Sequence, residues 1–242
     1  MKNMTGVVIS LTSIPSRFRY LPQILDRLMA LGADGVWLSI PHKYNRWPEL
    51  ELVIPELPGG VTLSRCKDYG PGTMYFGPID GGCTAENIVV VNDDTDYPPV
   101  MVSEFSRLMK ETPACWCTSG FNVVEYIQGQ GTVGRYDMHD IDVTESYGGV
   151  ILKREWLQAI KPEFESLLSM TYNDDILVSN LVAKMGIPRK SVFNERLNIG
   201  MIRQYDFGME QDALWRNDGD DSHYPNNRRV FNALREKGVY YY

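Results

Sequence analysis

Apolar residues along the first hundred positions come in short runs, punctuated by Gly, Pro and Asp, with one stretch of helical spacing among them. Gly6–Ser13 (GVVISLTS) is a brief apolar run with β-branched residues, which predicts a buried strand. After the turn IPSRF, residues 20–31 place Leu21, Ile24, Leu25, Leu28 and Leu31 three and four positions apart. That spacing puts them on one face of a helix, which Gly32 can end. GVWLSIP, ended by Pro41, GVTLSRC (Gly60–Cys66) and NIVVVN (Asn87–Asn92) read as three more strands. PPVMVSEFSRLMKE (Pro98–Glu111) predicts a helix with proline at its start, where a missing N–H costs nothing. Between the third and fourth strands, KDYGPGTMYFGPIDGG is rich in Gly and Pro and reads as a long loop, a feature that favours function. The order strand, helix, strand, strand, strand, helix implies an α/β sheet with parallel strands.

The second half is less regular. ACWCTSGFNVVEY and SYGGVILKREWL suggest strands or hairpin pieces. In NDDILVSNLVAKMGI, residues Ile176, Leu177, Asn180, Leu181 and Met185 fall near one helical face, and Gly186 ends it. PNNRRVFNALREKG predicts a last helix. With no repeat, low-complexity tract or clear linker, one domain over residues 1–242 is the simplest expectation, an α/β first half followed by a mixed second half.

Composition narrows the function classes. A chain of 242 residues with 43% hydrophobic and 23% charged content can bury a sizeable core. A net charge of −7 argues against a nucleic-acid binder, which needs a basic face. Cys66, Cys83, Cys115 and Cys117 match no common zinc spacing and read as buried free thiols, as in a reducing compartment. The start, MKNMTGVVISLTSIP, is too soon interrupted for a signal peptide or a membrane span. The expectation is a soluble, cytoplasmic protein, either whole or a fragment of something larger.

The stretch NIVVVNDDTDYPP carries the chemistry. An apolar strand runs straight into Asp93, Asp94 and Asp96, and like charges so close cost stability unless something offsets them. A hard divalent cation, Mg²⁺ or Mn²⁺, would do so, and ligands bind at the carboxyl ends of strands in open α/β sheets. A solvated Asp-rich turn, with Asp96 capping the next helix, is the structural alternative.

VVISLTSIPSRF, KDYGPGT, VVVNDDTDYPP and NDDILVSNL, in that order over residues 6–190, resemble GT-A type glycosyltransferases. More narrowly, they resemble nucleotide-sugar transferases of bacteria and large algal viruses. The resemblance implies a Rossmann-like, mostly parallel central sheet flanked by helices, with a nucleotide-binding half (1–100) and an acceptor-binding half (101–242). It implies a donor such as a UDP-sugar, a glycan or glycoprotein acceptor, an Mn²⁺ or Mg²⁺ cofactor, and, for a viral protein, residence in the host cytoplasm.

The resemblance also assigns residues. Asn92, Asp93 and Asp94 stand for the family's acidic triplet, with Asp94 the metal ligand and Asp93 and Asn92 near the ribose. Asp96 falls where relatives are apolar, so it reads as a helix cap or spare ligand. Thr12, Ser13 and Ile14 follow the first strand and would frame base and ribose, with Arg17 reaching the diphosphate or base. Arg65 and Asp68 are polar candidates for the nucleotide, Tyr69 for stacking on the base, and Gly70 lies in the same loop. Relatives carry Lys where Met74 stands here, and Lys67 is an uncertain substitute. Gly148 and Gly149 would let backbone approach a sugar, or form a bulge or tight turn, and Glu145 would bind sugar hydroxyls. Asp174, with Asp175 as the alternative, would deprotonate the acceptor with inversion, kept ionised by a helix N-terminus. Ordinary N-capping is the competing account of that pair. His223 would complete a metal shell. Two other readings stay open: a sugar nucleotidyltransferase, for which TSIPSRF lacks the expected glycines, and a non-catalytic nucleotide- or carbohydrate-binding module.

Overall fold

The alternation of Val7, Ile9 and Leu11 with Val8 and Ser10 sends side chains from one strand to two opposite faces, and all five are buried. A strand buried on both sides belongs in the middle of a sheet covered by helices on each face. The computed structural model describes residues 6–124, 139–168, 173–192, 203–204 and 223–242, and of residues 139, 203–204 and 223–226 it describes the backbone alone.

In chain order the strands are β1 (Val7–Thr12), β2 (Val36–Pro41), β3 (Val61–Cys66), β4 (Asn87–Val90), β5 (Thr95–Asp96), β6 (Cys115–Cys117), β7 (Gly120–Phe121), β8 (His139–Asp140), β9 (Val143–Thr144), β10 (Val150–Lys153), β11 (Arg189–Ser191) and β12 (Arg203–Gln204). The helices are α1 (Leu21–Met29), α2 (Thr73–Asp80), α3 (Met101–Glu111), α4 (Arg154–Leu167), α5 (Asp174–Lys184) and α6 (His223–Glu236). Short 3-10 helices span Pro15–Tyr20 and Ser146–Gly148.

Among the described residues the main sheet has eight strands in the order β3-β2-β1-β4-β10-β6-β11-β8. β1, β2, β3, β4, β6 and β11 run parallel, while β10 and β8 oppose them. This is the expected Rossmann-like α/β arrangement. Because β2 and β3 lie on one side of β1 and β4 on the other, the chain changes direction across the sheet between β1 and β4.

The two faces have separate cores. Val7, Ile9, Leu11, Leu38 and Val89 pack under α1 and α3, through Leu21, Leu25, Phe105 and Leu108. Val8, Ile88, Val90 and Leu152 pack under α2, α4, α5 and α6, through Phe76, Phe164, Leu177 and Phe231. All four cysteines are buried free thiols.

Two sequence expectations need correction. The Gly/Pro-rich stretch after β3 contains α2, with Met74, Tyr75, Phe76, Gly77 and Pro78 buried. Packing overrides propensity there. Serines at positions 10, 39 and 64 give α2 a shallow bed, with the Ser10 hydroxyl donating to the Met74 carbonyl (2.5 Å) and Ser64 to that of Gly77 (2.8 Å). SYGGVILKREWL, expected as strands or hairpin pieces, does hold strand β10, but a 3-10 turn precedes it and the first residues of α4 follow, so it forms no hairpin.

A Cβ on Gly77 would lie 2.3 Å from both Cβ and Oγ of Ser39. Gly77→Ala should therefore destabilise the protein by about 1–3 kcal/mol, the usual cost of overpacking, against the helix propensity it gains. Urea unfolding checks this, and Gly77→Ala combined with Ser39→Gly should recover most of the loss.

Candidate active site at the carboxyl edge of the sheet

The chain brings the first acidic motif to the switch between β1 and β4, where ligands bind in open α/β sheets. β1 and β4 are parallel neighbours, so Ser13 and Arg17, just past β1, meet Asp93 and Asp94, just past β4. The Ser13 hydroxyl donates to Asp93 Oδ2 at 2.5 Å. Arg17 Nη1 lies 2.5 Å from Asp93 Oδ1 and 3.1 Å from Asp94 Oδ2. The Arg17 and Asp93 side chains are 8% and 6% exposed and that of Asp94 15%, so the charges are held almost out of water. Burial pushes the Asp93 carboxyl up to about 6, with Arg17 pulling down and the Asp94 charge pushing further up.

Two tyrosines that sequence reasoning missed fix this corner. The Tyr44 hydroxyl donates to the Ser13 carbonyl at 2.5 Å. The Tyr97 hydroxyl accepts from the Asn92 N–H at 2.8 Å. Tyr97 stands inside the quoted acidic stretch, so its position was visible and its role was not. Tyr44 lies in the segment after β2, where no pattern marked it.

Most other nucleotide-side candidates are committed to the protein itself. Thr12 donates to the Ser39 carbonyl (2.8 Å), tying β1 to β2. Ile14 precedes the 3-10 helix, and its carbonyl accepts from the Arg17 N–H. Arg65 donates to the carbonyls of Pro41 (3.0 Å) and His42 (3.2 Å). Asp68 accepts from the N–H groups of Asn45 (2.6 Å) and Gly70 (2.8 Å), which pins the loops after β2 and β3 together. Gly70 has φ +60°, a left-handed turn position.

Tyr69 corrects the stacking expectation. It is 2% exposed, its ring lies 5.7 Å from Phe76, and its hydroxyl donates to Asp80 and Glu165. It has no free face for a base. Asp96 is no helix cap either, because it lies in β5 and α3 begins after Val100 with no side-chain cap. The His223 side chain lies outside the described residues.

The second acidic set reaches the same edge through β10. That strand runs antiparallel, with Val150 opposite Val90, so the turn before it sits beside the end of β4. Gly148 and Gly149 form that turn, and both are required by packing. A Cβ on Gly148 would meet Thr118 Oγ1 at 2.6 Å, and Gly149 has φ +81° with Met101 Sδ 2.8 Å from its would-be Cβ. The space they leave is filled by protein, which agrees with the tight-turn alternative.

From the same turn, the Ser146 N–H donates to Asp175 Oδ1 (3.0 Å), which also faces the Tyr75 hydroxyl at 3.4 Å. Asn173 caps α5, its Oδ1 accepting from the Ile176 N–H at 2.9 Å. Capping is thus done by Asn173, and Asp174 and Asp175 follow in the first turn. Asp174 is buried, and its Oδ2 has no hydrogen-bond partner among the described residues. Burial, then the Asp175 charge, pushes Asp174 well above the carboxylate range, and burial pushes Asp175 up to about 6. The expectation that the helix N-terminus keeps Asp174 ionised is corrected: burial outweighs it, and the pair favours holding a proton.

Glu145 belongs to this set. Ser119 Oγ lies 2.7 Å from Glu145 Oε2 and 2.6 Å from the Tyr147 hydroxyl, forming a short chain of polar groups. Burial pushes Glu145 up to about 7, with Ser119 opposing and the Asp175 charge adding.

The fit of a divalent cation can be judged from the donors. Among the described residues, no three His, Cys, Asp or Glu side chains are grouped to hold an ion. Asp94 supplies hard carboxylate oxygens, and Mg²⁺ commonly takes only one or two carboxylates beside substrate phosphates, so the donor type fits. No helix among the described residues is long and apolar enough to cross a membrane.

No family model matches the sequence, and no curated protein matches it. Among solved structures, that of UDP-glucose pyrophosphorylase complexed with UDP-glucose is similar over 96% of this chain and 98% of its own, at 12% identity and a TM-score of 0.48. A likeness of that size speaks to neither substrate nor activity.

The raised Glu145 carboxyl has a signed consequence. Unfolded, the group ionises near 4.5; folded, near 7. Its contribution to stability is therefore full below pH 4.5 and is lost as pH rises towards 7. Glu145→Gln should remove that part of the decline, so its stability relative to wild type should increase from pH 4.5 to 8 in urea unfolding.

Proposed function

We propose that the protein transfers a glycosyl group from a nucleoside diphosphate sugar, a uridine diphosphate sugar by resemblance, to a hydroxyl of a glycan acceptor. The observation that carries this is the meeting of two acidic sets at one sheet edge. Asp93 and Asp94 stand at the β1/β4 switch, and Asp174 and Asp175 open α5, joined to it through the Ser146–Gly149 turn. A diphosphate needs positive charge, and Arg17 is buried at that switch. A divalent cation held by Asp94 would add charge neutralisation for the departing diphosphate.

The Asp174–Asp175 pair is the proton acceptor in this reading. Burial pushes Asp174 well above the carboxylate range and Asp175 only up to about 6, so Asp175 is the member left ionised near neutral pH to take the acceptor's proton. Ser146 and Tyr75 orient Asp175, and the Asn173 cap fixes the turn from which both project. The Rossmann-like fold also accommodates nucleotidyl transfer. Against it stands the segment after β1, where Pro15–Tyr20 forms a 3-10 helix that turns Arg17 inward in place of a glycine-rich phosphate loop.

A donor screen tests the reading. Wild type should release nucleoside diphosphate from one sugar nucleotide in the presence of Mn²⁺ and an acceptor. Asp174→Asn and Asp175→Asn should each lower kcat by at least about 10²-fold while leaving nucleotide binding in place. Asp94→Ala should lose metal-dependent nucleotide binding as well. Pyrophosphate formed from UTP and a sugar 1-phosphate would assign nucleotidyl transfer instead. Nucleotide binding without any turnover would make the protein a binding module.

A further inference from the structure

We propose that Arg17 holds the cation position of this site in the ligand-free protein and gives up Asp94 when donor and divalent ion bind together. This rests on the nucleoside diphosphate reading above and adds to it an obligatory coupling. One guanidinium nitrogen, Nη1, bridges the two carboxylates at 2.5 and 3.1 Å. Arg17 Nη1 occupies Oδ2 of Asp94, so a divalent ion gripping that carboxylate would sit beside the guanidinium, and two cations so close repel where water screens them little.

Arg17 has a route off Asp94 that keeps it in the site. Asp93 is fixed independently by Ser13, whose own carbonyl is held by Tyr44. The Arg17 backbone is anchored in the 3-10 turn by its N–H to the Ile14 carbonyl at 2.9 Å. A shift of the guanidinium off Asp94 would leave the ion pair with Asp93 in place. A guanidinium is a planar fork that suits phosphate oxygens bidentately, so an incoming diphosphate is the natural new partner. The diphosphate draws Arg17 away and frees Asp94 for the ion; the ion on Asp94 in turn releases Arg17 to the diphosphate. Each ligand removes the other's obstacle, and such coupling is reciprocal.

The test is Mn²⁺ binding to the full chain, read by electron paramagnetic resonance of the free ion, with and without UDP. The ion bound by UDP in solution is subtracted. In wild type, UDP should tighten Mn²⁺ binding by about tenfold or more, within the usual range of such couplings. Arg17→Met should bind Mn²⁺ alone about tenfold tighter than wild type, and UDP should then add little. Arg17→Lys keeps the charge without the fork and should fall between, which preserves the test should the Met variant fail to fold. Equal Mn²⁺ affinity in wild type with and without UDP would overturn the coupling. A Met or Lys variant that binds Mn²⁺ alone no tighter than wild type would overturn the role of Arg17. UDP binding with no Mn²⁺ uptake in any arm removes the exchange and leaves a metal-independent donor site. Absence of UDP binding as well removes the donor reading and the exchange with it.

Discussion

The ion pair between Arg17 and Asp93, almost sealed from water, is the constraint on which this edge of the molecule depends. Taking both charges out of solvent is costly, and removing one partner of such a pair commonly costs about 3–5 kcal/mol because the other is left uncompensated. The fold accepts that burial only because geometry is supplied from three directions. Ser13 completes the Asp93 shell, the 3-10 turn sets the height of Arg17, and β1–β4 pairing sets the distance between them. The pair joins the segments that follow the first and fourth strands, so it also ties the two strand ends together.

The second acidic set obeys a different logic. Among the described residues no buried arginine is bound to it; a backbone N–H meets Asp175, a hydroxyl meets Glu145, and burial raises its proton affinity. The two sets thus settle their charge differently, one through a buried arginine and the other through a raised proton affinity. Between them, the Tyr97 hydroxyl holds the end of β4 and the two glycines allow close packing of the turn before β10.

Much of the architecture was legible because its elements carry periodic signals. Leu21, Ile24, Leu25 and Leu28 mark α1, and the β-branched runs mark β1 and β4. α2 was hidden because Gly77 and Pro78 weaken its local propensity, while what stabilises it is distant: serines on three strands and the Phe164 ring, 4.4 Å from Phe76. The site was legible where acidic residues cluster in sequence, as at Asp93 and Asp94. It was not legible where a role depends on which neighbour fills the space. Tyr69 resembles a stacking residue in sequence and is a core residue in the fold. Gly148 and Gly149 left both a ligand approach and a tight turn readable in sequence, and only the neighbours Thr118 and Met101 show the close packing of a turn. Ser119 and Tyr147 acquire meaning only when β6 and the turn before β10 come together.

The reversal of β10 has a mechanical implication. A parallel strand brings its end to the carboxyl edge; this one brings its beginning, along with the turn that tethers α5. The gap between the two acidic corners is thereby set by how far β10 is slid along β4. A slip that preserves the inward faces moves by two residues, about 6.6 Å, more than the length of any hydrogen bond at this edge. The ladder Val150–Val90, Ile151–Val89 and Leu152–Ile88 therefore serves as a ruler, and apolar contacts in the sheet fix the spacing of the two acidic sets.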